Sequence, residues 1–218
     1  MLALLAHPFS SYCWKVQIAL YENGTPYEYK LLGPDQPENQ AVLAGVSPHG
    51  KFPVLVDGEQ AVFESTIIIE YLQQFHPGKA VFIPTDPVAA LEVRKLDRFF
   101  DNYVMTPMQR IVGDFIREPA QRDALTVTEA KAMLLRSYTW LEAYLVGREF
   151  ACGKTFSLVD CAAAPSLFYA DWVCEIGEEF PLLKGYRQRL LARDSVVESV
   201  DKARPFRSYF PAGAPDRD

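Results

Sequence analysis

The sequence predicts a small α/β domain followed by an all-helical one, on three observations. Up to His76 the chain reads strand, helix, strand, helix, strand, strand, helix, the order of a mixed sheet covered by helices. Pro77, Gly78 and Pro84 then interrupt every regular pattern. From Asp86 onward the apolar periodicity is helical throughout. The expected organisation is a first domain over residues 1–76, a linker over 77–86 and a helical domain over 87–218.

Leu2 to Ala6 is an apolar run bounded by the polar loop His7-Pro8-Phe9-Ser10-Ser11, and reads as the first strand. A helix fits Tyr12 to Asn23, with Val16, Ala19 and Leu20 on one face and Gly24 at the C′ position. Pro26 to Leu32 reads as a strand, and Gly33 to Gln40 as a loop. A short helix is then expected through Ala44, ended by Gly45. Val54 to Val56 is a β-branched strand, Asp57-Gly58 a hairpin turn and Ala61 to Phe63 the returning strand. Glu64-Ser65 opens a helix with Ile68, Leu72 and Phe75 on one face.

In the second half, Asp86-Pro87 pairs an N-cap with proline at the first helical position. The long helix that follows carries Leu91, Leu96, Phe99, Phe100, Tyr103 and Val104, and Pro107 is expected to kink it. Thr126 to Glu129 has the spacing of a capping box for the next helix, which runs to Leu145 with Gly147 after it. Ser157-Leu158-Val159-Asp160 is a second capping box, with Phe156 and Cys161 placed as a hydrophobic staple. Shorter helices fit Pro181 to Ala192 and Ser195 to Lys202. The tail from Arg204 is expected to fray at its end.

Composition excludes several classes. The chain has 218 residues, 49% of them hydrophobic, enough for a sizeable core. With 22 basic against 28 acidic residues, a charge of −6, no basic excess is available to neutralise phosphates, so nucleic acid is not an expected partner. No apolar run approaches the ~20 residues of a membrane span, and no membrane partner is expected. Cys13, Cys152, Cys161 and Cys174 lack metal-ligand spacing, so no metal site is expected; they read as reduced thiols of a cytoplasmic protein. His7, His49 and His76 are isolated in the sequence and are assigned no chemistry.

The chemistry concentrates in two places. One is the loop Phe9 to Val16, where a helix N-terminus meets a pair of serines. The other is His49 to Ser65, in which Lys51-Phe52-Pro53 precedes a strand and Glu64-Ser65 follows eleven residues after the proline. Together they resemble the glutathione-binding half of the cytosolic glutathione S-transferase family, in which the proline is cis. The stretch Gly153 to Pro165 resembles that family's C-terminal capping signature. The motif Ser10-Ser11-Tyr12-Cys13-Trp14-Lys15-Val16 is similar to the serine-type members, of theta and zeta kind. Tyr12 stands where the zeta class has cysteine, and Glu64-Ser65 where it commonly has Gln-Ser.

The resemblance implies a thioredoxin-like first domain and glutathione as co-substrate. Ser10, with Ser11 as the other candidate, would hold the thiolate. Phe52 and Pro53 would pair with the cysteinyl unit, and Ser65 would bind the γ-glutamyl carboxylate. Glu64 would take the ammonium, and Lys51 the glycyl carboxylate. Phe9, Tyr103, Pro107, Met108 and Ile111 are candidates for a pocket holding a small apolar electrophile. A homodimer and a detoxifying conjugation are implied. The same site would suit an isomerase or a dehalogenase, and the fold alone would suit a non-catalytic binding module.

Overall fold

The computed structural model describes residues Met1 to Asp218. In the first half, β1 (Leu2–Ala6), α1 (Ser11–Asn23) and β2 (Glu28–Leu31) form a strand–helix–strand unit. Then follow α2 (Pro37–Val46), β3 (Val54–Asp57), β4 (Gln60–Phe63) and α3 (Ser65–Phe75). The sheet order is β2-β1-β3-β4. β1 is parallel to β2, a pairing that requires the α1 crossover, and antiparallel to β3. β3 and β4 pair as a hairpin from Val54 opposite Phe63 to Asp57 opposite Gln60. Its turn places Gly58 at φ 60°, a conformation that glycine adopts without a Cβ clash.

α1 is covered on several sides, packing against α3 and against two helices of the second half. Cys13, Trp14, Val16, Ile18, Ala19 and Leu20 are all fully buried, which explains why its sequence shows little amphipathic contrast. Gly24, at φ 67°, ends the helix, and the next N–H, of Thr25, bonds back to the Leu20 carbonyl at 3.0 Å.

The segment between α3 and the helical half has no helix or strand but is pinned. Asn23 donates to the His76 carbonyl at 2.9 Å, and Gln73 accepts from the Phe82 and Ile83 N–H groups at 2.8 and 2.9 Å. Gly78 lies so close to α1 that a Cβ there would fall 2.5 Å from the Asn23 carbonyl oxygen.

The helical half begins with α4 (Pro87–Phe99), a π-helical turn (Phe100–Met105) and α5 (Thr106–Ile116). It continues with α6 (Ala124–Tyr144), α7 (Leu158–Val173), α8 (Pro181–Leu191), α9 (Asp194–Ala203) and a 3₁₀ segment (Arg204–Tyr209). α7 is its axis: every residue from Leu158 to Trp172 is buried. Its capping box forms, with the Ser157 N–H donating to Asp160 Oδ2 at 2.8 Å. No helix is long and apolar enough to cross a membrane.

Four local expectations need correction or refinement. The Gly33 to Gln40 loop is shorter than expected, because α2 already starts at Pro37, a proline at the first helical position. Gly45 lies inside α2, and Ser47 caps its end. α6 starts at Ala124, because Asp123 accepts from the Leu125 N–H at 3.0 Å and holds the Thr126 hydroxyl at 2.7 Å, taking the capping role expected of Thr126. Where the kink is expected at Pro107, the rod passes through the π-helical turn directly before the proline. The Thr106 N–H bonds to the Asp101 carbonyl, five residues back, and the Tyr103 carbonyl, which a residue 107 N–H would serve, accepts from Ser137 Oγ on α6 at 2.7 Å. The tail is tied down: Phe210 is buried, and the Asp218 carboxylate pairs with Arg204 at 2.5 Å and Arg207 at 2.9 Å.

Candidate functional site

A cleft of about 470 Å³ opens where the β1–α1 loop, the segment before β3, the β4–α3 junction and the α4–α5 rod converge. Ser10, Lys51, Phe52, Pro53, Glu64 and Ser65 line it. Four distant pieces of sequence meet here because β1 and β3 are neighbours at the sheet centre, which brings the ends of their loops together.

Ser10 is the N-cap of α1, with extended backbone and Oγ accepting from the Cys13 N–H at 3.4 Å. The plain capping reading of this serine and its place in the cleft therefore hold together. Ser11 is the first residue of α1, is buried and does not line the cleft.

The Phe52–Pro53 peptide is cis, and the loop leading to it is held by the Ser47 hydroxyl, which donates to the Lys51 carbonyl at 2.8 Å. At the other wall, Glu64 has φ 69°, the sole non-glycine residue with positive φ, a conformation that costs of order 1–3 kcal/mol. That bend turns β4 directly into α3. The Glu64 side chain makes no capping bond, unlike those at the starts of α1, α4 and α6. The first backbone bond of α3 runs from the Ile68 N–H to the Glu64 carbonyl, so the N–H groups of Ser65 to Ile67 have no partner inside the helix. Such a start attracts a carboxylate or phosphate.

The rest of the lining is largely polar. It includes Tyr12, Arg98, Asp101, Asn102 and Gln109. Burial pushes the Tyr12 phenol up, so it remains protonated at neutral pH and able to donate. Burial also raises the Asp101 carboxyl, against the pull of the Lys15 ammonium beside it. Arg98 and Lys51 supply positive charge, and Glu64 and Asp101 negative charge, a set that suits a ligand carrying carboxylates and an ammonium.

None of the five residues expected to form an apolar electrophile pocket lines this cleft. Phe9 packs edge-on against Tyr169 at 5.6 Å and near Phe210 at 6.3 Å. Pro107, Met108 and Ile111 are buried in the helical core, and Tyr103 points outward against Phe99 at 5.4 Å. The apolar periodicity of the rod marks its core face, and the intervening polar residues turn to the cleft. Tyr12, His49, Arg98, Asp101, Asn102 and Gln109 were not legible as cleft residues. The signal available was the polar stripe Arg98, Asp101, Asn102 on an otherwise core-facing helix. Cys13 is fully buried, and burial pushes its thiol up to about 12, so it is no thiolate nucleophile.

A four-stranded mixed sheet with a cis-proline loop and two helix starts around one cleft, backed by a helical domain, defines a protein of thioredoxin-like fold with an added helical domain. The model for the glutathione S-transferase N-terminal domain matches residues 4–80, and that for the glutathione S-transferase C-terminal domain matches residues 99–194. The chain is 30% identical to glutathione S-transferase U7 of Arabidopsis thaliana, covering 92% of this chain and 86% of that one. It is 29% identical to a stringent starvation protein A homolog of Pasteurella multocida, covering 94% and 92%. A glutathione S-transferase from Methylobacterium radiotolerans, solved in complex with glutathione sulfonate, superposes with a TM-score of 0.79. It is 26% identical, with 91% of this chain and 94% of that one covered. The chain belongs to the glutathione S-transferase family, a family of enzymes.

Proposed function

We propose that this chain binds glutathione in the cleft, stabilises its thiolate and joins the sulfur to a small electrophile. The observation that carries the reading is the uncapped start of α3 beside Ser65, facing Ser10 at the start of α1 across one cleft. Ser65 and the free N–H groups of α3 bind the γ-glutamyl carboxylate, Glu64 takes its ammonium, and Lys51 takes the glycyl carboxylate. Phe52 and Pro53 pair with the cysteinyl unit, and the Ser10 hydroxyl donates to the sulfur. The thiol proton passes to solvent. The thiolate then attacks the electrophilic carbon, forming an S–C bond as the leaving group departs with its electron pair.

Tyr12, Asn102 and Gln109 line the same cleft as Ser10, which supports an electrophile with hydrogen-bonding groups in place of the purely apolar one expected from the sequence. The enzyme acts as a homodimer in the cytoplasm. Exposed Ile67 and Leu91, each one helical turn from a member of the Glu70–Arg94 ion pair, support an apolar contact between copies.

Calorimetry with glutathione on the wild type and Ser65→Ala tests the binding. A hydrogen bond to a charged group contributes ~1.5–3 kcal/mol, so the affinity should drop roughly 10- to 100-fold with the fold retained. Equal affinities would sink the assignment of Ser65. Turnover on a panel of electrophiles then tests the chemistry. Glutathione binding without turnover on any of them would mark a binding module instead.

A further inference from the structure

A lysine, fully buried, lies just behind the cleft and is unused by the proposed reaction. Lys15 is 1% exposed on α1. Its Nζ donates to Thr66 Oγ1 at 2.9 Å and to the two Asp101 oxygens at 3.2 and 3.0 Å. Asp97 Oδ1 lies 2.6 Å from the same nitrogen without hydrogen-bond alignment. Thr66 passes the connection on, its hydroxyl donating to Asp97 Oδ2 at 2.8 Å. Arg98 closes the cluster, at 2.6 Å from both Asp97 and Asp101, and also donates to Thr66. Two cations and two anions balance.

Each arm of this cluster leads to a cleft residue. α1 carries Ser10 and Tyr12, Thr66 directly follows Ser65 at the start of α3, and Asp101 and Arg98 themselves line the cleft. One ammonium therefore sets the relative position of three elements at the cleft end that holds Glu64 and Ser65. Three of these charges, on Lys15, Asp97 and Asp101, are buried, while Arg98 reaches them from the surface. Burying charges is costly unless they are paired, so the arrangement has few alternatives. Thr66 is the joint: its oxygen accepts from Lys15 and Arg98 and donates to Asp97, which consumes its hydrogen-bonding capacity and fixes the first turn of α3.

We propose that Lys15 and Thr66 are positioning residues for the α-amino-acid end of the bound thiol peptide, its ammonium and carboxylate, and act on it through Ser65, Glu64 and Asp101. This inference rests on the glutathione reading given above. It assigns the two residues to one end of the ligand and not to the sulfur.

The test uses two thiols, glutathione and cysteinylglycine, which lacks the γ-glutamyl unit. Thr66→Val keeps the shape and removes the hydroxyl. It should raise the KM for glutathione about tenfold, the order of one charge-assisted hydrogen bond, leave kcat at saturation within about twofold, and leave the KM for cysteinylglycine unchanged. Thr66→Ser should restore the wild-type KM. Asp97→Asn, a change at a residue outside the cleft, should show the same split, and it decides the question if Thr66→Val does not fold. An unchanged glutathione KM, an equal loss for both thiols, or failure of Thr66→Ser to restore binding overturns the inference alone. Absence of glutathione binding by the wild type overturns the proposed function, and this inference with it.

Discussion

The 3.4 Å separation between Ser10 Oγ and the Cys13 N–H is long for a capping bond, and the serine's own O–H stays free to donate into the cleft. Cys13, three residues on, has the opposite character, a thiol sealed in the core with its ionisation pushed up to about 12 by burial. Sequence spacing alone places both near the reactive corner, and burial is what separates them. Ser10→Ala should raise the pKa of the bound glutathione thiol, since the thiolate loses a donor. It should lower kcat/KM roughly 10- to 100-fold, the value of ~1.5–3 kcal/mol for a hydrogen bond to a charged group. Cys13→Ala should leave kcat/KM nearly intact while lowering stability. The ultraviolet thiolate absorbance of the complex, followed against pH for both variants, decides it. Loss of activity in Cys13→Ala with Ser10→Ala unaffected would make the buried thiol the reactive group and end this account of the site.

At the scale of elements, caps were the most legible feature, because a cap is a local arrangement of a few residues. Asp86-Pro87 and Ser157 to Asp160 form as read, whereas the Thr126 box lost to Asp123, a better-placed acceptor three residues earlier. The π-turn before Pro107 was not legible, since the Ser137 hydroxyl that serves the freed Tyr103 carbonyl comes from another helix. The polar wall of the cleft was missed for a similar reason: helical periodicity distinguishes core from non-core faces but not a cleft from open solvent. The Asp160 box also carries more than its motif implies. Besides Ser157, Asp160 accepts from the Ala151 N–H at 3.1 Å and the Tyr186 hydroxyl at 2.6 Å, and is fully buried. Ser157→Ala should therefore cost about 1 kcal/mol. Asp160→Ala strands four donors, the Ser157 N–H and hydroxyl, the Ala151 N–H and the Tyr186 hydroxyl, and should cost at least about 3 kcal/mol. Urea denaturation measures both, with glutathione affinity of the folded fraction unchanged. Equal costs for the two would mean that the Ala151 and Tyr186 bonds contribute nothing.

Across the whole molecule, the sheet domain is fastened to the far end of the helical domain by one carboxylate. Glu22, in the last turn of α1, accepts from Arg193 Nε and NH2 at 2.8 and 2.7 Å and from Ser195 Oγ at 2.5 Å. Arg193 lies in turn over the Phe156 ring at 4.3 Å, next to the α7 cap. No sequence pattern links residue 22 to residue 193, and only the packing of α1 against α9 brings them together. Burial alone would raise the Glu22 carboxyl, but the donors from Arg193 and Ser195 outweigh it and hold the group below its usual 4.5. The sign follows from proton binding. Between the folded value and 4.5 the unfolded chain binds more protons, so stability rises with pH there. The contribution is complete above 4.5 and is lost as the pH falls through the folded value. Glu22→Gln keeps the shape and removes the charge. It should melt several degrees below the wild type at pH 7, with the gap closing toward pH 3. Other carboxyls held low, such as Asp57 and Asp218, lose their contributions in both proteins, so the difference between the two melting curves isolates Glu22. A gap that stays constant from pH 7 to pH 3 would show that Glu22 joins the domains by packing and not by charge.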